Sequence, residues 1–499
     1  MSRVVRESPD NPISLSTPNN ISSLTRAMPQ TIFSRPESLF CVLRAVVRLQ
    51  KVACGAFCAL AKGATFASLV LCAAVLMTSS CGNSVGSAGH AGAIHLIVEH
   101  RLLRALDSSL KQFESDLRSE GYSVSIDGSM EASTSPREIR QALQKRWNGT
   151  PKLRGAILIG EFSAPLFNNR SQQGDAYWHD HLIDLFYMDL NGVFVDTDND
   201  GVLDAHRSFE GGKWARLWSA IGKRAGLGLD RRAPEIWVSR IRAGTLAPLA
   251  DEMTLYRDYF MRNHAYRTGT GPKVPPRAFV VASSAKFTES DWGTRPRKLY
   301  SDVAVSECVP NASVLSRQYL SDPKGWALAV VGSFSGPQVH KFSYYEGGGI
   351  DEGWFRTREG HQLLAQYSLL DNKPWDLTSR DIAQIKPNVL FYQVLSSETG
   401  RHDVPGYLAG AYLFFGSGLA VIAGTQHSGA VGVSRLYDNL AKKESLGEAW
   451  REAMEWSLDH GGRNLKLKWC DKDEPWDPSI DPYKAVLLGD GTLHLPAAK

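Results

Sequence analysis

The sequence predicts an α/β protein in two sub-domains, each with a mainly parallel sheet flanked by helices. Three observations carry this. Apolar runs such as "AIHLIVEH", "GAILIGEF", "RAFVVAS", "NVLFYQVL" and "GLAVIAG" have the length and composition of buried strands. Amphipathic segments of helical length alternate with the first of them, and that order builds a parallel sheet with helices on its faces. The alternation breaks at "TGTGPKVPP", residues 268–276, whose glycines and prolines mark a linker, and then restarts.

Taken in order, "AIHLIVEH" opens the first sub-domain, residues 93–267. "RALDSSLKQFESDLRSEGY" follows as a helix, with Leu106, Leu110, Phe113 and Leu117 at helical spacing and Gly121 closing it. "YSVSID" is a second strand. "SPREIRQALQKRW" is a helix with Ser135 as N-cap and Pro136 at its first position, and "GAILIGEF" is a third strand. "EIWVSRI" is a further strand, with the long helix "LADEMTLYRDYFMRNHAYR" after it. In the second sub-domain, residues 277–499, the strands are "RAFVVAS", "VHKFSYYE", "NVLFYQVL" and "GLAVIAG". The helix "LGEAWREAMEWSLDHG", closed by Gly461, and the strand pair "AVLLGDGTLHL" end it.

The chain has 499 residues, 22% charged and 43% hydrophobic, enough for two or three domains with sizeable cores. A formal net charge of +4 is small for this length, and no basic run with interleaved aromatics occurs, so nucleic acid is not expected as a partner. From Ser38 to Val98 there is no acidic residue, while Arg44, Arg48, Lys51 and Lys62 supply positive charge. The apolar run Gly63–Met77, then small residues and Cys81, have the layout of an export signal. The run is short for a membrane span, which takes roughly 20 apolar residues. Residues 1–80 therefore read as an export signal region with an unstructured N-terminal extension, and 81–92 as a flexible tether. A Cys directly after small residues resembles the lipobox of bacterial lipoproteins, with Thr78 where that pattern prefers Leu. The expectation is an exported protein, in the periplasm or at the cell surface, anchored to a membrane by lipid on Cys81. Processing would leave three of the seven cysteines, Cys81, Cys308 and Cys470. Cys308 and Cys470 are then either one disulfide or two buried thiols.

"DLNGVFVDTDNDGVLDAH" carries Asp196, Asp198 and Asp200 at alternate positions, then Gly201, Val202 and Asp204. Carboxylates so spaced converge on one cation. Gly at the sixth position allows the sharp turn, Val202 offers its carbonyl, and Asp204 closes the ninth. Oxygen-only ligands select Ca²⁺, the expected cofactor. Arg207 at the twelfth position, where an EF-hand has Glu, excludes that helix–loop–helix frame. Asp184 and Asp189 lie just upstream, where they could complete the shell. The plainer alternative is an acidic surface turn.

These pieces, in this order, resemble the gingipain-type cysteine peptidases, whose catalytic domain has a caspase-like α/β fold in two sub-domains. The resemblance runs over nearly all of 93–495. "GAILIGEF" is similar to that family's strand ending in Leu-x-Gly-Asp, with Glu161 for Asp. "DLFYMDLNG" followed by "DTDNDG" resembles its Asp-x-x-Tyr-x-Asp-x-Asp-Gly segment and the acidic loop after it. "PEIWVSRI" is similar to its Pro-Glu-x-x-x-Gly-Arg-Ile, with Ser239 for Gly and Arg240 kept. "SLGEAWREAMEW" and "LLGDGTLHL" resemble its closing helix and strand, with Gly491 for Pro.

The resemblance also implies where the catalytic dyad would fall. In the family one strand ends in His-Gly, and a later one in a small residue, Cys, two residues and Gly. The second motif falls on "SSETG", with Ser396 in the small position, Ser397 in the Cys position and Gly400 in the Gly position. The first falls on "SYYEGGGIDEGW", with Gly347 in the His position and Gly348 after it. Both dyad members are thus replaced. A thiol of ordinary pKa about 8.5 ionises beside a cationic imidazole, whereas a hydroxyl needs an adjacent general base, and Gly347 supplies none. A relocated set is the alternative. His402 lies five residues beyond Ser397, His427 follows "GLAVIAG", and Glu346 and Asp351 flank the glycine loop, so a Ser397–His427–Glu346 triad is conceivable. "WHDH" (His179, Asp180, His181) is a lone H-x-H without a wider zinc pattern. His340, early in "VHKFSYYE", is expected at the edge away from Ser397. The expectation is a non-catalytic homologue that binds a peptide or protein; the alternative is an active hydrolase using Ser397 with a relocated histidine.

Overall fold

The structure, a computed structural model, describes residues 92–149, 151–168, 180–207, 233–282, 295–306, 315–341, 376–426, 434–461 and 483–497. The expected signal region, Cys81 and its tether, His179, Cys308, Glu346, Gly347, His427 and Cys470 lie outside the described residues. From Gly92 the chain forms β1 (Gly92–Val98), α1 (His100–Ala105), α2 (Asp107–Ser119), β2 (Tyr122–Asp127), α3 (Pro136–Trp147) and β3 (Leu153–Ile159). Then come β4 (Leu166–Phe167), β5 (His181–Leu182), α4 (Leu185–Met188), β6 (Val193–Val195), β7 (Ala205–Arg207), β8 (Trp237–Ile241) and α5 (Glu252–Thr268). Next are β9 (Arg277–Ala282), β10 (Asp302–Ser306), β11 (Trp326–Gly332), β12 (Phe334–Gly336), β13 (Val339–Lys341), β14 (Asp376–Thr378) and α6 (Ser379–Ile385). The chain ends with β15 (Val389–Val394), α7 (Leu408–Phe414), β16 (Ala420–Gly424), α8 (Ser434–Ala441), α9 (Leu446–Gly461) and β17 (Ala485–Gly489).

Ten strands make one sheet in the order β10-β9-β11-β15-β16-β17-β8-β3-β1-β2. Pairing is parallel from β10 to β16 and again from β8 to β2. β17 runs antiparallel to β16 and touches β8 at a single register position, Leu488 opposite Arg240. The sheets expected separately are therefore halves of one, joined through β17.

Burial on both faces is what makes the strand runs continuously apolar. Every residue of β8, β11, β15, β16 and β17 is buried. Their side chains alternate between two cores, because successive strand residues point to opposite faces. Ala93, Ile97, Ala156, Leu158, Val238 and Val280 belong to one core; Ile94, Leu96, Ile157, Ile159, Phe279 and Val331 belong to the other. Trp237, 1% exposed, fits only because glycines ring it: a Cβ on Gly155 would come within 2.0 Å of the indole, and one on Gly447 within 2.4 Å.

Helix ends follow their local chemistry. Ser135 caps α3 with a reciprocal bond to Glu138, and Pro136 opens the helix. Asp251 caps α5, and Gly269, at φ 67°, ends it.

Two strands of the sheet escaped the sequence reading. "WALAVVG" (β11) has Ala or Gly at three of its seven positions, and Ala favours helix over strand, so its pattern is weak. "DVAVS" (β10) is a short edge strand. Of "VHKFSYYE", read as a strand of the second sub-domain, the described residues Val339–Lys341 form β13, in a three-stranded antiparallel sheet with β12 and β14 and not in the main sheet; residues 342–346 lie outside the described residues.

Candidate functional site: the edge around Ser397

β15 carries the chain to Leu395, whose N–H donates to Val331 O at 2.7 Å. There the end of β15 is tied to the end of β11. Ser396 Oγ accepts from Ser333 N at 3.0 Å and lies 3.2 Å from Ser333 Oγ, which is 2.6 Å from His340 Nδ1. His340, expected at the far edge, therefore reaches the same edge as Ser396, because β13 folds back beside β12. Its imidazole is fully buried, which pushes it down to about 3.

Ser397 follows, 6% exposed, its carbonyl accepting from Ser335 Oγ at 2.8 Å. Glu398 takes a positive φ of 57°, which an L residue adopts only at a cost. Its N–H donates to Gln426 O at 3.1 Å, and Gly400 N–H to Gly424 O at 2.7 Å, so the turn is clamped to the end of β16. A Cβ on Gly400 would come 2.9 Å from Gly424 O, a backbone atom that cannot give way, so only glycine fits.

His402 is brought to this turn, but it faces elsewhere. Its Nδ1 accepts from Arg242 Nη1 at 3.2 Å, and no residue of the ring is exposed. Burial, then the guanidinium charges of Arg240, Arg242 and Arg401, hold the imidazole well below its ordinary range. Among the described residues, no imidazole bonds the Ser397 hydroxyl. Arg242 in turn pairs with Glu161 at 2.7 Å, and Gly244 N donates to the other Glu161 oxygen at 2.7 Å. Burial nonetheless pushes the Glu161 carboxyl up, with Arg242 opposing the shift. Arg242 and Ser333 were not singled out in the sequence. The one available signal was that Arg240 and Arg242 sit two apart, hence on one side of an extended segment.

Two segments quoted for the family resemblance meet inside the molecule. Arg240, on β8, donates from Nε and Nη2 to the Asp184 carboxylate at 2.9 and 2.7 Å, and its guanidinium lies 5.4 Å from the Tyr187 ring centroid. Tyr187 donates to Ser163 O at 2.6 Å, and burial raises its hydroxyl pKa.

The acidic loop spans the tip of the hairpin of β6 and β7. Carboxylate oxygens of Asp196, Asp198 and Asp204 lie within 4.8 Å of one another. Asp196 also accepts from Gly201 N at 3.0 Å, and Asp204 from Thr197 N at 2.6 Å. Asp200 turns away from this trio to accept from Val202 N at 2.8 Å. Gly201, at φ 91°, makes the turn. Asp184 and Asp189, which the sequence offered as possible further ligands, do not join the loop. Asp184 is spent on Arg240, and Asp189 accepts from Gly192 N at 2.6 Å and contacts His206 Nε2 at 2.9 Å.

No family model matches the sequence, and no curated protein matches it. Three solved structures are similar in shape. A chain described as "Structure of Protease" has a TM-score of 0.48 at 12% identity, covering 84% of this chain and 81% of that one. The complex of Porphyromonas gingivalis RgpB pro- and mature domains gives 0.47 at 10% identity, covering 81% and 80%. The Arg-specific cysteine proteinase gingipain R (RgpB) gives 0.47 at 9% identity, covering 81% and 78%. Likenesses of this size say nothing of the chemistry at Ser397. The α/β assignment stands on the sheet itself.

Proposed function

We propose that this chain is a gingipain-type peptidase homologue without peptidase activity, which binds a peptide or a protein at the edge that carries Ser397. The observation that carries the reading is His402. The imidazole closest in sequence to Ser397 gives its lone pair to Arg242 and is held neutral by burial and three guanidinium groups. Such a ring is a poor base for a hydroxyl. Gly347 in the family's histidine position supports the same reading.

The second reading is an active hydrolase in which Ser397 works with a relocated histidine, His427, and with Glu346. The strained Glu398, directly after Ser397, favours it, since such backbone clusters at functional turns. Turnover of a peptide library, with labelling by serine- and thiol-directed acylating probes, separates the two. The first reading expects neither turnover nor labelling, no gain from S397C alone, and gain only in S397C with G347H. Hydrolysis by the unaltered protein that Ser397→Ala abolishes would establish the second.

The reading extends to Ca²⁺ on the Asp196–Asp204 loop, with the Val202 carbonyl as a further ligand, and to membrane anchoring through lipid on Cys81. Cys81→Ser should move the protein into the soluble fraction; unchanged recovery from membranes would count against the anchor.

A further inference from the structure

The segment Gly424–Gln426, at the end of β16, is bonded along both of its edges. On one edge Gly424 O and Gln426 O accept from Gly400 N and Glu398 N, at 2.7 and 3.1 Å, and so clamp the turn after Ser397. On the other edge Thr425 N donates to Lys484 O at 2.7 Å. The Thr425 hydroxyl, fully buried, adds a further tie by donating to Leu182 O on β5 at 2.8 Å. Three residues thus bridge the turn to two other parts of the chain.

Both outer ties lead to the acidic hairpin of β6 and β7. Next to Lys484, the Tyr483 hydroxyl lies 3.1 Å from His206 Nδ1, and the Tyr483 ring stacks on Phe167 with centroids 4.9 Å apart. His206 is on β7, two residues past Asp204, and its Nε2 is 2.9 Å from the buried Asp189 carboxylate. Phe167 is on β4, which pairs with β5 and bridges to Leu203, the residue before Asp204. Asn168 N donates to Leu203 O at 2.8 Å, and Leu203 N to Leu166 O at 2.9 Å. The stem of the acidic loop is therefore held by the same strands that hold Thr425.

The clamped turn has another conformation to fall into. Glu398 sits at φ 57°, and an L residue released from the bond that keeps it there relaxes to negative φ. Ser397 precedes it directly, so that relaxation redirects the Ser397 edge.

We propose that Thr425 is a positioning residue that couples the acidic hairpin to the turn after Ser397. Its two outer bonds keep Gln426 O in place for Glu398, and a distortion of the hairpin reaches that clamp through Tyr483 and Lys484 and through Leu182. The hairpin thereby regulates the Ser397 edge. The functional meaning of the coupling rests on that edge being the binding site proposed above; the coupling itself is read from backbone amides, so either can fail without the other.

The test follows hydrogen exchange at the Glu398 and Gly400 amides in the full chain, with the amides of β1, three strands from β17 in the sheet, as reference. Thr425→Val removes the hydroxyl, and Tyr483→Phe removes the link to His206. Each should lower protection at Glu398 and Gly400 by roughly threefold or more and leave β1 unchanged, and Thr425→Ser should keep it. Gly201→Ala strains the tip of the hairpin, where an added Cβ meets nothing within 4 Å, and should lower protection at the turn as well. Its effect should largely vanish in a chain that already carries Thr425→Val and Tyr483→Phe. Unchanged protection at Glu398 and Gly400 in Tyr483→Phe and in Gly201→Ala would overturn the coupling. An equal fall at β1 would overturn it too, since that marks a general loss of stability. Should Thr425→Val fail to fold, Tyr483→Phe and Gly201→Ala decide by themselves.

Discussion

Arg240 holds Asp184 by two nitrogens inside the protein, with neither side chain more than 2% exposed. Removing one partner strands the other's charge without water, which typically costs about 3–5 kcal/mol. Arg240→Met or Asp184→Asn should therefore lower the unfolding free energy by roughly 3 kcal/mol in urea titrations. The double change Arg240→Met with Asp184→Leu should recover much of it, because no orphaned charge remains. A single-variant loss under about 1 kcal/mol would refute the account.

The buried imidazoles set an acid limb. His340 is pushed down to about 3 and His402 well below 6.5, both first by burial. Below pH 6.5 the unfolded chain binds protons at these positions and the folded chain does not, so stability falls as pH falls from 6.5. Each contributes at most about 1.4 kcal/mol per pH unit. His340→Gln keeps a partner for Ser333 and should flatten the slope between pH 6.5 and 5. An unchanged slope would mean that other groups make the limb.

Calcium on the acidic loop, as proposed, should raise the melting temperature over that in chelator, by about 2–4 °C when the metal is well above its Kd. The geometry ranks the ligands. Asp198→Asn, in the convergent trio, should weaken the effect far more than Asp200→Asn, whose carboxylate serves the Val202 amide. Equal losses would mean the loop rearranges on binding; superimposable melts would count against the metal.

The turn after Ser397 carries strain at one position and a steric limit at another. Glu398→Gly should stabilise the fold by up to about 1 kcal/mol, by relieving the positive φ. Gly400→Ala should destabilise it by roughly 2–3 kcal/mol, since the new methyl meets Gly424 O. Denaturation of the two variants checks both signs.

How much of this the residues announced depends on the range of each interaction. The convergence of Asp196, Asp198 and Asp204 was legible because these carboxylates lie within nine positions of one turn, whereas the same spacing did not reveal that Asp200 bonds the Val202 amide instead. The helix start at Ser135 was legible for the same reason. The partnership of Arg242 with His402 spans 160 positions and leaves no local mark. Asp184 and Asp189 looked like spare metal ligands because nothing near them in sequence reveals Arg240 or His206 as their partners. His340 was misplaced because one short turn reverses its strand, and a period-two pattern does not say which sheet a strand joins.

β17 is the last of the ten strands in chain order, yet it fills a position in the middle of the sheet. Nine strands must therefore leave the ribosome before the tenth can join β16 to β8. Until Ala485–Gly489 emerges, both of those neighbours present open backbone edges, the kind of surface that recruits strands from other chains. A nascent chain halted between Gly424 and Ala485 would hold two half-sheets without their shared centre, and would depend on chaperones or dilution to escape aggregation.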